Sequence, residues 1–351
     1  PPNLDNSQDE MSCYFASLNR NKKSICVDFK SKEGLKIIHD LASMSDVVLE
    51  NFVPGKLAGL GLGYETLSTM FPGLIYCSIT GYGIKGPYRN RPGYDNIAAS
   101  VGGLFHITGP RGGDPCKVGV ALTDLATGLY AHGAILAALI HRQKTGKGQK
   151  IDVNLLSTQV ACLINIASNY LNVRKEAVRW GTQHESIVPY QAFRTRDGYI
   201  TLGTGSDQQF RSLCKILGLN LSEDPKFKTN QSRVKNREAL LSILEPIFLA
   251  KSTKEMLGIL DGAPFPYGPV NNMEQVFNDP HIKEIGLVQE MKVSSGSPVK
   301  LVGPPVDFSG MENAVRSPPP GKGQHTREIL SSVLKYPDGK IRQLFDDRVV
   351  Q

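Results

Sequence analysis

The chain has 351 residues, with 40 Lys and Arg against 33 Asp and Glu, for a formal net charge of +7. At roughly 150 residues per domain this is chain enough for about two domains, each able to bury a core. A hydrophobic fraction of 40% and a charged fraction of 21% exclude wholesale disorder.

The sequence holds no unbroken apolar run of about eighteen residues, which predicts that no helix spans a membrane. The six cysteines include no C-x-x-C pair. That spacing argues against a zinc ribbon, an iron–sulfur site or a disulfide framework, and for a reducing compartment. The positive excess has two readings: a generally basic surface, or an anionic partner such as nucleic acid, a membrane or a phosphorylated ligand. The chain opens Pro1-Pro2-Asn3 without a methionine, which reads as a processed or truncated start.

Residues 22–28 are a short β-prone run. An amphipathic helix is predicted over 32–43, with Ser31 as N-cap, Glu33 in the first turn, and Leu35, Ile38, Leu41 and Ala42 at helical spacing. A strand over 47–52 stops at Pro54-Gly55, a second helix covers 64–71, and an apolar strand follows over 74–80. Alternating apolar strands and helices indicate an α/β domain with a parallel sheet covered on both faces. A long, nearly apolar helix then runs to Lys144, with Gly146 as its stop. A strand at 151–153 and another buried helix over 155–171 come next. Beyond about Arg174 the character changes: two short strands flank Arg196-Asp197-Gly198, and three helical stretches follow. Residues 186–285 read as a smaller α+β domain, and helices over 326–335 and 339–345 return to the sheet domain.

Residues 81–86 match G-x-G-x-x-G after a strand, but Pro87 follows and no helix opens. The motif is therefore read as a sharp turn or a close backbone approach to a ligand, not as a Rossmann dinucleotide loop. The seven histidines form no metal-ligand spacing, and neither a Walker A pattern nor a G-x-S-x-G elbow is present, so no metal site is expected. Asp124 is the most informative acid, because it opens a helix in a stretch almost free of charge. Two roles suit it. It can cap the helix, satisfying orphan N–H groups and favouring the dipole, or it can act as a partly desolvated carboxylate nucleophile toward an acyl group.

Five segments appear in order: NRNKKSICVDFKSKEG (19–34), VLENFVPGKLAGLGLGYETL (48–67), IYCSITGYGIKGPYRNRPGYDNIA (75–98), GVALTDLATGLYAHGAILAALIHRQKTGKGQKIDVNLL (119–156) and WGTQHESIVPYQAFRTRDGYI (180–200). In order and spacing they resemble the class III coenzyme A transferase family, that of formyl-CoA transferase, over nearly the whole chain. Residues 180–193 and Val270-Asn271-Asn272-Met273 resemble the branch acting on succinate, glutarate and hydroxymethylglutarate. The resemblance implies CoA transfer from a dicarboxylyl-CoA such as succinyl-CoA to a free dicarboxylic acid such as glutarate. Aspartyl anhydride and aspartyl-CoA intermediates would form on Asp124, with CoA thioesters as substrates and no tightly bound cofactor.

The same resemblance places CoA contacts at Val27 and Lys30, at Asn51, Phe52 and Val53, and at Pro92, Gly93, Tyr94 and Asp95. Gly59 falls where a relative carries a basic CoA contact, and Lys56 stands nearby as a replacement. Residues 181–186 match the substrate loop, with Glu185 where relatives of this branch have glycine. From this stretch Arg179, Gln183, His184 and Ser186 are taken as substrate-binding, with Arg179 and His184 for the far carboxylate of a dicarboxylic acid.

The family comparison further implies a Rossmann-like parallel-sheet large domain over 1–185 and 286–351, lacking the family's first strand–loop–helix, with the small domain over 186–285. It also implies an interlocked-ring homodimer in the mitochondrial matrix. One rival is a 2-methylacyl-CoA racemase of the same family, but Tyr94 stands where those enzymes carry a histidine base. The other is a non-catalytic acyl-CoA binder. Dispersed Lys and Arg without interleaved aromatics argue against nucleic acid.

Overall fold

The computed structural model describes residues 2–4 and 11–351. In chain order its elements are α1 Cys13–Leu18, α2 Lys32–Ser43, β1 Val47–Glu50, α3 Tyr64–Met70, β2 Ile75–Thr80, α4 Asp95–Val101, α5 Leu104–Ile107, α6 Leu122–Thr145, β3 Lys150–Asn154, α7 Leu155–Ala161 and α8 Ile164–Val173. There follow β4 Tyr190–Arg194, β5 Tyr199–Gly203, α9 Asp207–Ile216, α10 Asn230–Lys235, α11 Arg237–Leu249, α12 Thr253–Ile259, β6 Tyr267–Pro269, α13 Met273–Asn278, α14 Pro280–Glu284, β7 Val288–Lys292, β8 Pro298–Val302, α15 Thr326–Glu328 and α16 Asp338–Asp346. The chain forms two compact units, one of residues 1–94, 124–158 and 274–351 and the other of 95–123 and 159–273. These bounds differ from the expected ones: 95–123 and 159–185 group with the second unit, and 274–285 with the first.

The first unit is built on a parallel sheet in the order β1-β2-β3, with Val47 opposite Ile75 and Tyr76 opposite Lys150. The central strand β2 is buried over its first four residues, as a strand with a neighbour on each side and helices on its faces should be. Ser31 caps α2 by accepting the Gly34 N–H at 3.0 Å. Ala42, Leu67, Leu74 and Tyr76 join α2 and α3 to β2 in one apolar cluster. Ile37 packs instead with Leu330, Ile341, Leu344, Val349 and Val350, so the C-terminal helices close over α2. A hairpin of β7 and β8 packs on α1 through Met11, Ala16, Val293, Val299 and Leu301. The β-prone run at 22–28 makes no strand, only an isolated bridge between Val27 and Val350.

Helix α6 departs from expectation most. Leu125, Leu129, Tyr130, Leu136 and Ile140 are exposed along it. By length and composition it can cross a membrane, and 22% of its most apolar stretch is buried. The sequence criterion missed this because it counted unbroken apolar runs, whereas His132 and the small residues interrupt the run without lowering its average. Arg142 anchors the far end, donating to the Gly73 carbonyl at 3.2 Å and to Asp46 Oδ1 at 2.7 Å. Gly146 ends the turn at φ 69°, as its left-handed conformation requires. The expected single buried helix over 155–171 is two helices, α7 and α8, and α8 buries no residue. An apolar sequence signals the need for cover, but does not say whether the same chain supplies it.

In the second unit β4, β5 and β6 form an antiparallel sheet, Ile200 pairing with Phe193 and Pro269. Phe193, Ile200 and Leu202 pack with Phe210, Leu213, Leu240, Leu244, Phe248 and Met256 from α9, α11 and α12, and Phe193 stacks on Phe248 with ring centroids 4.4 Å apart. Four helices, not three, follow the strands. Two start with capping boxes, Ser206 with Gln209 and Ser252 with Glu255. Leu244, fully buried in this cluster, is expected to lose about 2–5 kcal/mol of stability on Leu244→Ala through lost transfer energy and a residual cavity. Denaturant unfolding of the variant checks this, and an unchanged midpoint would contradict the packing described.

Candidate active site

Parallel α/β sheets present ligands at the carboxyl ends of their strands, where the connections splay apart. A pocket of about 610 Å³ lies there in the first unit. Its walls come from Leu49 and residues 51–54 after β1, from residues 79–81 at the end of β2, from Leu155 just past β3, from residues 90–94, and from Asp124, Thr127 and Gly128 of α6. The pocket thus gathers Asn51, Phe52, Val53, Pro92, Gly93, Tyr94 and Asp124, residues scattered over more than seventy positions of sequence.

Local chemistry shapes each wall. The Phe52 N–H donates to Glu50 Oε2 at 2.7 Å, which folds the loop after β1 back on its strand. The Gly83 N–H donates to Thr80 Oγ1 at 2.9 Å and starts the turn after β2. The loop then returns so closely that a Cβ on either Gly81 or Gly93 would lie 2.7 Å from the other's Cα. This backbone contact is the close approach anticipated for the glycine motif, but its partner is another glycine of the same loop. The Leu156 N–H donates to the Gly81 carbonyl at 3.1 Å and ties the crossing to α7.

Asp124 stands in the first turn of α6, where the helix dipole favours a carboxylate. The neighbouring Thr123 N–H donates to Asp95 Oδ1 at 2.8 Å, so a side chain from the start of α4 meets one orphan donor of this helix end. Asp124 is exposed in the single chain, not desolvated among apolar neighbours as the sequence suggested. Its neighbours in sequence are apolar, but α6 turns them along an uncovered face. Thr127 and Gly128, one turn on, line the same wall, a juxtaposition that helical spacing from Asp124 could have revealed.

Arg91 also lines the pocket and was not singled out from sequence. Its guanidinium lies 3.9 Å from the centroid of Tyr88, whose ring meets Tyr82 edge-on at 5.5 Å. Among the described residues it is the only Lys or Arg on the wall, as Asp124 is the only acid. Lys56 lies over the Phe52 ring at 5.1 Å, beside the pocket, while Gly59 sits in a short helical turn outside it. Val27 and Lys30 are not among the lining residues. Their segment adjoins the pocket through Phe29, which meets Phe52 edge-on at 6.4 Å. A smaller cavity of about 190 Å³ shares Val53, Pro54 and Thr80 with this pocket but not Asp124. There burial, with Glu50 nearby, pushes the Tyr76 hydroxyl up to about 12 while it donates to the Leu62 carbonyl at 3.2 Å.

The remaining candidates belong to the second unit. Arg179 is committed to its own fold, donating through Nε to the Gly113 carbonyl and through Nη1 to the His106 carbonyl, each at 2.8 Å. It fastens the 106–113 loop. His184 is exposed and stacks on Tyr190, with centroids 5.4 Å apart and planes within 5°. Its Nδ1 accepts the Ser186 N–H at 3.1 Å, which leaves the proton of the neutral ring on Nε2. Glu185 pairs with Lys175. Among the described residues, no group of three or more His, Cys, Asp or Glu side chains is arranged to hold a metal ion.

The family model described as CoA-transferase family III matches residues 2–326. A succinyl-CoA:glutarate CoA-transferase of Homo sapiens is 54% identical over 97% of this chain and 78% of its own length. A succinate–glutarate CoA-transferase of Agrobacterium fabrum is 38% identical over 95% of this chain and 84% of its own. Among solved structures, a CAIB/BAIF family protein from Brucella suis superposes with a TM-score of 0.83 at 38% identity, covering 95% of this chain and 86% of that one.

The Gly81–Gly93 crossing makes a specific demand. Because backbone atoms on both sides leave a methyl group nowhere to go, Gly93→Ala is expected to cost about 1–3 kcal/mol and to loosen residues 82–94. Denaturant unfolding combined with amide hydrogen exchange over that loop measures both effects. Unaltered protection would show that the crossing is not what holds the loop.

Proposed function

Because the chain belongs to CoA-transferase family III, we propose that it moves CoA from a dicarboxylyl-CoA such as succinyl-CoA to a free dicarboxylic acid such as glutarate or hydroxymethylglutarate. The observation that carries this reading is the placement of the Asp124 carboxylate on the wall of the strand-end pocket, beside Asn51–Val53 and Pro92–Tyr94. The names of the human and Agrobacterium relatives supply the substrate class.

In the proposed sequence, an Asp124 oxygen attacks the thioester carbonyl of succinyl-CoA and expels CoA thiolate, leaving a mixed anhydride. The thiolate attacks the aspartyl carbonyl, releases succinate and forms an aspartyl-CoA thioester. The acceptor carboxylate then attacks that thioester and expels the thiolate, forming a second anhydride. Attack by the thiolate on the acceptor's carbonyl gives the new acyl-CoA and restores Asp124. Each step exchanges one activated acyl group for another, so the cycle requires neither ATP nor a metal, and a carboxylate suits it as both nucleophile and leaving group.

Arg91 offers an anionic group of the substrate its charge at the pocket. Tyr94, 75% exposed, takes the place of the histidine base a racemase would need. A reactive anhydride also requires water to be kept out, whereas Asp124 is exposed in the single chain. We therefore assign the exposed apolar faces of α6 and of α8 to a second copy in an interlocked homodimer, the assembly the family resemblance implies. Residence in the mitochondrial matrix, and the absence of a tightly bound cofactor, complete the proposal.

Asp124→Asn and Asp124→Ala are expected to lower exchange between succinyl-CoA and glutarate by at least about 10³-fold, as removal of a covalent nucleophile does. Mass spectrometry after incubation of the unsubstituted protein with succinyl-CoA is expected to find a hydroxylamine-sensitive adduct on the peptide carrying Asp124. Full exchange by either variant would sink the assignment.

A further inference from the structure

Residues 183–188 are held by side chains that lie some fifty positions further along the chain. Asn230 and Arg233 lie on α10 and Arg237 opens α11, and all three side chains reach the same loop. Asn230 donates through Nδ2 to the Ser186 carbonyl at 2.8 Å and accepts the Val188 N–H at 3.1 Å. Arg233 donates through Nε to the Val188 carbonyl at 2.6 Å and pairs with Asp207 at 2.9 Å. Arg237 donates through Nη2 to the His184 carbonyl at 2.9 Å and the Glu185 carbonyl at 2.6 Å, with Gln183 Oε1 at 3.5 Å from Nη1.

Arg237 is the member that meets the His184–Glu185 backbone directly. It is 5% exposed, and its guanidinium lies 4.8 Å from the centroid of Trp180, the residue that leads into the loop. The Arg111 guanidinium lies 5.2 Å from the same ring. Burial and the neighbouring Arg111 charge hold Arg237 below the ordinary guanidinium range. An apolar side chain of similar volume would often be no less stable at such a position. The arginine does what an apolar side chain cannot: it binds two successive carbonyls of the loop and so sets the orientation of the peptide groups at His184 and Glu185.

We propose that Arg237 is a positioning residue for the acceptor acid, acting through the His184–Glu185 backbone to present the His184 Nε2–H to a carboxylate. This inference rests on the proposed CoA transfer and on the reading, implied by the family resemblance, of residues 181–186 as the substrate loop. An imidazole N–H donor on a fixed backbone selects by geometry, and a displacement of about 1 Å in such a group can cost about 10²-fold in rate.

The test compares Arg237→Gln, Arg237→Lys and Asn230→Ala in the full chain. It reads kcat and KM for glutarate, KM for succinyl-CoA, hydrolysis of succinyl-CoA without acceptor, and thermal unfolding. Arg237→Gln is expected to lower kcat/KM for glutarate by about 10²-fold while KM for succinyl-CoA stays within about twofold. Hydrolysis should rise relative to transfer, Arg237→Lys should recover part of the loss, and Asn230→Ala should shift the same ratio by less, which keeps the test open if Arg237 variants do not fold. A folded Arg237 variant with unchanged glutarate kinetics overturns the proposal, as does a parallel loss in both substrates that tracks the melting temperature. Retention of exchange by Asp124→Ala would instead overturn the CoA-transfer reading itself, so the two failures are distinguishable.

Discussion

The strand-end pocket depends on a contact between two glycines. Gly81 leaves β2 and Gly93 closes the loop that follows, and their backbones approach so closely that neither position has room for a Cβ. With this crossing in place, Pro92, Gly93 and Tyr94 line the same pocket as Asn51, Phe52 and Val53 and as Asp124 of α6. The constraint is steric and therefore rigid, since close-packed backbone atoms have no rotamer to yield. The hydrogen bonds around it, from Phe52 to Glu50, Gly83 to Thr80 and Leu156 to Gly81, fix the three loops against the strands that feed them.

The second unit fixes its loop by different physics. Its apolar cluster supplies the cohesion, and the loop over 183–188 lies against a polar stripe whose arginines are almost fully buried. Buried guanidiniums cost solvation and recover it only if their donors are met in good geometry. Arg233 meets that condition with the Val188 and Phe227 carbonyls and Asp207, and Arg237 with the His184 and Glu185 carbonyls. Such a stripe defines one loop conformation more sharply than apolar packing would, because each bond has a direction as well as a distance.

The chemistry proposed for the first unit and the surface it presents make complementary demands. An anhydride at Asp124 calls for a dry environment, and the single chain leaves both Asp124 and the apolar residues of α6 exposed. A second copy that covers the apolar faces would answer both demands at once, by removing hydrocarbon from water and water from the carboxylate.

Much of this was readable from the residues alone. Period and capping located α2, β1, α3, β2 and β3, because a Ser cap, an amphipathic stripe and an apolar strand are local signals. Asp124 stood out as a charge opening an apolar helix, and the order of segments pointed to CoA-transferase family III. The pocket's membership was only partly accessible. Asn51–Val53 and Pro92–Tyr94 came from the resemblance, while Arg91 was missed because nothing in its local sequence marks it as pocket-lining. The exposure of α6, the division of 155–171 into two helices and the commitment of Arg179 to the Gly113 and His106 carbonyls depend on what packs against what. So does the grip of Arg237 on a loop some fifty residues away. Sequence determined the elements and the candidate nucleophile through short-range patterns, whereas tertiary structure alone decided which side chains face a pocket, because that is set by contacts between segments remote in the chain.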